Sequence, residues 1–109
     1  GLRIGGAVEF AGLKTPPNFN RSKALLELAA KYLPELNVDG GTEWMGHRPS
    51  TPDSLPVIDR ASRYSNVFYA FGHGHLGLTG SATTGRLIAA LVRGEEASLD
   101  LTPFRIGRF

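Results

Sequence analysis

The stretch Phe71-Gly72-His73-Gly74-His75-Leu76-Gly77-Leu78-Thr79-Gly80 holds most of the chemistry legible in this chain. It joins a run that reads as a strand, Asn66 to Phe71, to a run that reads as a helix, Ser81 to Val92. Glycines at 72, 74, 77 and 80 strip side chains from the turn, so that backbone N–H and C=O groups can approach a ligand closely. A helix starting here aims its amino end, worth about half a positive charge, at whatever sits in the turn. The ligand is therefore expected to be negative, or to become negative during chemistry. The donors selected by this reading are the N–H groups of Leu78, Thr79 and Gly80 together with the Thr79 hydroxyl. The plain alternative is a strand–turn–helix connection capped by Thr79.

Two other chemistries are weaker. Gly72, Gly74 and Gly77 formally match Gly-x-Gly-x-x-Gly, the turn that holds a dinucleotide pyrophosphate. The acidic residue expected about 20 positions later is supplied only by Glu95 and Glu96, beyond the helix and not at the end of a second strand. A dinucleotide fingerprint is rejected on that ground. His47, His73 and His75 could together offer three nitrogens to a metal. An i, i+2 pair in a glycine turn has no fixed geometry, however, and no carboxylate lies nearby in sequence, so no metal is expected.

The 109 residues carry 12 Lys and Arg against 10 Asp and Glu, for a net charge of +2. The basic residues are scattered, which gives nucleic-acid binding no support. Nine of the 12 are arginine, the side chain suited to carboxylate or phosphate. There is no cysteine, hence no disulfide, thiolate metal site or cysteine nucleophile, in keeping with a reducing compartment. An apolar content of 41% is that of a globular protein, and the length predicts one domain at most.

Several elements must position the turn. Residues 2–13 look like a glycine-interrupted strand, with Gly5 and Gly6 marking a bulge or a close backbone approach. Asn20 or Ser22 can cap a helix that runs to about Leu33, where Pro34 ends it. Leu25, Leu28, Ala29 and Tyr32 form its expected buried face. A strand at 41–48, a proline-rich loop through Pro49, Pro52 and Pro56, and a brief pairing of Val57 and Ile58 follow. Gly94 is the stop for the last helix. The tail from Glu95 to Phe109 has no clear period. A chain that opens with an unpartnered strand and closes soon after a ligand turn is expected to be a piece of something longer, or a subunit that completes a partner. Its exposed strand edges predict self-association, by exchange of strands between copies.

Gly46-His47-Arg48-Pro49 after Trp44, Thr51-Pro52-Asp53-Ser54-Leu55-Pro56-Val57-Ile58, the glycine turn, Arg86-Leu-Ile-Ala and Arg108-Phe109 occur here in one order. This ordered set resembles the C-terminal region of the FAD-dependent D-amino acid oxidase superfamily, bacterial D-amino acid dehydrogenases above all. The resemblance implies an α+β C-terminal fragment of a two-domain flavoprotein. Residues 1–65 would be part of the substrate-binding domain. Residues 66–109 would be a strand–turn–helix returning to the FAD-binding domain, plus a tail. It implies contact with the flavin ring through Gly74, His75, Leu76, Gly77, Leu78 and Thr79, while FAD phosphates are held elsewhere and FAD is absent from this chain alone. Oxidising the Cα–N bond of an amino acid moves a hydride to flavin N5, and negative charge builds over N1 and C2=O, where a helix amino end is stabilising.

By the same resemblance Arg48 clamps the substrate carboxylate through two parallel hydrogen bonds and orients Cα–H over the ring. Pro49 restricts the Arg48 backbone to extended conformations, which would fix its direction. His75 would offer its backbone carbonyl to the substrate amine. Trp44 is expected in the core or a pocket wall. The implied partners are an amino acid substrate and an N-terminal FAD-binding portion or subunit, with no nucleic acid. The implied setting is cytoplasmic or peripheral to the inner face of a bacterial membrane. The alternative is a noncatalytic subunit or scaffold that keeps the turn for folding alone.

Overall fold

The computed structural model describes all residues from Gly1 to Phe109. The chain divides into two compact units, Gly1–His47 and Arg48–Phe109, where its length predicted a single domain. The secondary structure is mixed: helices α1 (Asn20–Tyr32) and α2 (Gly77–Arg93), strands β1 (Val57–Arg60) and β2 (Phe68–Phe71), and three short 3-10 turns, Gly74–Leu76, Thr102–Phe104 and Ile106–Arg108.

In the first unit only α1 is regular. Neither 2–13 nor 41–48 is a strand. Period-2 patterning makes a strand only where a neighbour takes up the backbone N–H and C=O groups, and neither segment has a ladder partner. Self-association by strand exchange thereby loses the strands it was based on. Gly5 and Gly6 show no close approach, since a Cβ on either meets nothing within 4 Å. The expected apolar face of α1 is not buried either. No residue of that helix is, and Tyr32 is 78% exposed. Trp44 is 68% exposed, with the Arg3 guanidinium 6.0 Å from its ring centre. What organises this unit is polar contact at the start of α1. Glu9 accepts the Asn18 N–H at 3.1 Å, and the Ser22 hydroxyl donates to Glu43 at 2.6 Å. Two carboxylates at a helix amino end suit its partial positive charge.

The second unit is built on an antiparallel hairpin. Val57 pairs with Phe71, Ile58 with Ala70, Asp59 with Tyr69 and Arg60 with Phe68, so the hairpin spans the division expected at 65/66. Successive strand residues face opposite sides, yet Val57 and Ile58 are both buried. Strand β1 is covered by α2 and also by the 3-10 turns of the tail, which explains how two neighbours are buried at once. Leu87 and Ala90 of α2 and Ala61 complete this small core. Helix α2 ends as the sequence predicts. Gly94 takes φ 68°, its N–H reaches Leu91 O, and the Glu95 N–H reaches Ala90 O, the paired bonds of a Schellman motif.

Beyond Phe71 the same chain direction continues but changes partner. Ser50 bridges His73, and the Gly74 N–H donates to Pro49 O at 2.9 Å. Loop 51–56 therefore arches over Gly72. That glycine has φ +80°, and a Cβ there would lie 2.6 Å from Thr51 Cγ2. Within the arch the Thr51 hydroxyl donates to Leu55 O, and the Ser54 N–H donates to Thr51 O. Ser54 sits in the left-handed region at φ 62°.

The aperiodic tail proves to be fastened at two carboxylates. Asp59 Oδ2 accepts the Ile106 N–H at 2.9 Å. Arg108 grips Asp53 with two bonds, Nε to Oδ2 at 2.6 Å and Nη2 to Oδ1 at 3.1 Å, and Nη2 also donates to Leu55 O. The Arg108 fork holds the Asp53 carboxyl well below the usual carboxylate range.

Two outcomes follow for stability. Gly72→Ala adds left-handed strain and a clash with Thr51, and should cost about 2–4 kcal/mol in chemical denaturation. Gly85→Ala, in open space on α2, should instead gain about 0.5–1 kcal/mol. The second outcome concerns pH. A carboxyl whose folded pKa is lowered stabilises fully above its ordinary value of 3.8, and that stability is lost as pH falls through the lowered value. Asp53→Asn should lower Tm near neutral pH, and the gap to the unaltered protein should close on acidification below 3.8. A gap independent of pH would place the effect elsewhere.

Candidate functional site

The sequence predicts that the glycine turn and Gly46-His47-Arg48-Pro49 act together, and main-chain bonding joins them. The Gly74–Pro49 bond and the Ser50–His73 bridge put Arg48 one residue from a segment paired with the turn. Gly74 has φ +54°, and a Cβ on it would come within 3.3 Å of Ser50 Oγ, so a side chain here would press on that pairing. Arg48 itself is exposed, and the chain's three ion pairs, Arg21–Glu9, Arg93–Glu95 and Arg108–Asp53, leave its guanidinium free.

Helix α2 begins at Gly77, four residues earlier than Ser81, because the 3-10 turn Gly74–Leu76 leads directly into it. This shift changes the set of available donors. In an α-helix the N–H of residue i bonds to the carbonyl of residue i−4. The Gly80 N–H is therefore taken up by Leu76 inside the helix, the Gly77 N–H falls to Gly74 in the i→i+3 pattern of the preceding 3-10 turn, and the donors left without a helical acceptor are those of Leu78 and Thr79. The Leu76 N–H is already bonded to His73 O at 3.0 Å. Thr79 is not the cap. The N-cap position falls on Leu76, without a side-chain hydrogen bond, and Thr79 lies within the first turn. No acidic side chain occupies that turn to neutralise it.

His75 and Leu76 are exposed in the 3-10 turn, and Leu78 is 90% exposed at the start of α2. His73 has a structural role. Its Nε2 lies 3.0 Å from Thr84 Oγ1, which staples the turn to the body of α2. No group of three or more His, Cys, Asp or Glu side chains comes together to hold a metal.

The amides of Leu78 and Thr79 and the Thr79 hydroxyl are donors that would suit the ring oxygen and nitrogen atoms of a bound cofactor. Gly80 has no neighbour within 4 Å of an added Cβ and keeps the approach open. The groups that would hold FAD here are main-chain donors at the start of α2, and Arg48 stands one residue before the Pro49 that bonds to the turn.

Sequence reasoning missed Thr51, Asp53, Asp59, Thr84 and the reach of Arg108. Asp53 and Arg108 were both within recognised motifs, but 55 residues separate them and no local periodicity links such a pair.

Residues 1–91 match the family described as FAD dependent oxidoreductase, DAO. A D-amino-acid oxidase of Bradyrhizobium diazoefficiens is 46% identical over 113 residues, covering 100% of this chain and 27% of that protein. A D-amino acid dehydrogenase of Paramagnetospirillum magneticum is 37% identical over 109 residues, covering 99% of this chain and 26% of that protein. The chain thus spans about a quarter of the length of these curated relatives. With the family match over most of its length, this chain belongs to the FAD-dependent oxidoreductase family.

Proposed function

We propose that this chain is the C-terminal portion of an FAD-dependent enzyme that oxidises the Cα–N bond of a D-amino acid. The observation that carries this reading is the Gly74–Pro49 hydrogen bond, which couples a free arginine fork to a glycine turn and a helix amino end. The names of the relatives, D-amino-acid oxidase and D-amino acid dehydrogenase, support the substrate class.

Bound FAD supplies the hydride acceptor. The chain's own residues bind and orient around it. Arg48 holds the substrate carboxylate with two charge-assisted bonds and so fixes Cα–H toward the ring. The His75 backbone carbonyl accepts an N–H from the substrate amine. The amides of Leu78 and Thr79 would meet developing negative charge, and they need no reorganisation because the helix fixes them. An amine that arrives neutral needs no further base from this chain. The remaining parts of the FAD site come from an N-terminal portion or subunit, and residues 1–65 contribute to the substrate-binding side.

On its own this chain is expected to bind FAD weakly or not at all, because it has no phosphate-binding turn of the dinucleotide type. Purified protein should be colourless, and a stoichiometric flavin spectrum would overturn this division of the site. The assignment of Arg48 is tested in the complete enzyme. Arg48→Lys keeps the charge but loses the fork, and should reduce kcat/KM about tenfold to a hundredfold. Arg48→Ala should cost more, with flavin content unchanged. A matched amine lacking the carboxylate should lose its disadvantage in that variant. An equal proportional drop for amino acid and amine would show that Arg48 serves the fold or the cofactor instead.

A further inference from the structure

The tail ends in a contact that a surface arginine rarely makes. Arg108 is only 14% exposed at its side chain, although it is the penultimate residue. Its fork takes both oxygens of Asp53, its Nη2 also takes Leu55 O, and its Nη1 closes on its own turn at Arg105 O. Three of these bonds fix the loop to the tail, and the fourth braces the tail itself.

The contacts continue inward. Leu55 O, held by Arg108, also accepts the Thr51 hydroxyl at 2.6 Å. The Leu55 N–H bonds to Asp53 Oδ1 at 3.1 Å, so Leu55 is held at both its N–H and its C=O by the Asp53–Arg108 pair. Thr51 in turn has its methyl against Gly72, where no Cβ intervenes. Ser50, next in the chain, bridges His73, and Pro49 O receives the Gly74 N–H. Arg48 is the next residue. The arch also holds Ser54 at φ 62°, a conformation that an L-residue keeps only where surrounding bonds enforce it.

We propose that Arg108 is a positioning residue: through Asp53, Leu55 and Thr51 it holds loop 51–56 over Gly72 and thereby sets the Arg48–Pro49 segment against the glycine turn. The proposal rests on the reading of Arg48 as a carboxylate clamp for its effect on substrate, but not for the mechanical coupling itself. Arg108 touches neither the turn nor Arg48. It acts by denying the arch its freedom, much as a fastener outside a hinge sets the angle of the leaf. Asp59, which takes the Ile106 N–H, keeps the tail in register so that the Arg108 fork meets Asp53.

The test separates coupling from catalysis. Amide hydrogen exchange is measured on this chain for Gly74, whose N–H donates to Pro49 O, with the α2 amides of Leu87 and Ala90 as reference. Arg108→Lys keeps the charge but loses the planar fork that takes both Asp53 oxygens, and should speed exchange at Gly74 on the order of tenfold while the reference amides stay protected. Asp53→Asn should do the same. Faster exchange confined to residues 102–109, with Gly74 unchanged, would overturn the proposal. In the complete enzyme, Arg108→Lys should raise KM for the amino acid several-fold and leave kcat, flavin content and KM for the matched amine unchanged. A raised KM in Arg48→Ala but not in Arg108→Lys would overturn the latch and leave the clamp standing. If Arg48→Ala leaves KM unchanged, the clamp reading falls, and exchange at Gly74 alone decides whether the latch exists.

Discussion

The structure of the second unit depends on a missing atom. At Gly72 the strand leaves β1 and takes up Ser50 and Pro49 as its new partners. The connecting loop 51–56 must pass over that point, and Thr51 comes so close that a Cβ would lie 2.6 Å from its methyl. Only glycine permits both the positive φ and the approach. Because Gly72 yields this space, the segments on both sides of the arch pair with one continuous stretch, and the site's two motifs become neighbours along the main chain.

That arrangement suits a small core. Five apolar residues are buried in the whole chain, Val57, Ile58, Ala61, Leu87 and Ala90, all in the second unit. So small a core cannot fix loops by packing alone. Directional polar contacts fix them instead: the Asp53–Arg108 fork, the Asp59–Ile106 bond, the His73–Thr84 contact and the Arg60 guanidinium on Leu91 O. Each joins segments that local sequence does not link. Exposed apolar side chains such as Phe10, at 95%, and Leu78 show how much surface the chain leaves uncovered, in keeping with its match to about a quarter of its relatives.

The early start of α2 has a chemical consequence. Moving the first helical residue to Gly77 leaves Leu78 and Thr79 as the positions whose N–H groups lack helical acceptors, because Gly80 is bonded within α2 and Gly77 within the preceding 3-10 turn. The donors are thus one fewer than the glycine spacing alone implies. They point from a 17-residue helix whose far end is closed by Gly94, so their dipole is that of a full helix and not of a loose turn.

The sequence by itself determined the local elements with strong internal signals. Helix α1 before Pro34, strand β2, the glycine turn and the Gly94 stop each rest on residues within a few positions of one another, where backbone preference and short-range bonding decide. The sequence could not determine whether segments 2–13 and 41–48 are strands, because a strand exists only through a partner, and local composition does not reveal whether one runs alongside. Nor could it show that an aperiodic tail would be fastened by Arg108 to Asp53, or that Pro49 would bond to Gly74. These are contacts between residues far apart in the chain, made when the chain folds back on itself, and their loop-closure cost and geometry belong to the tertiary structure alone.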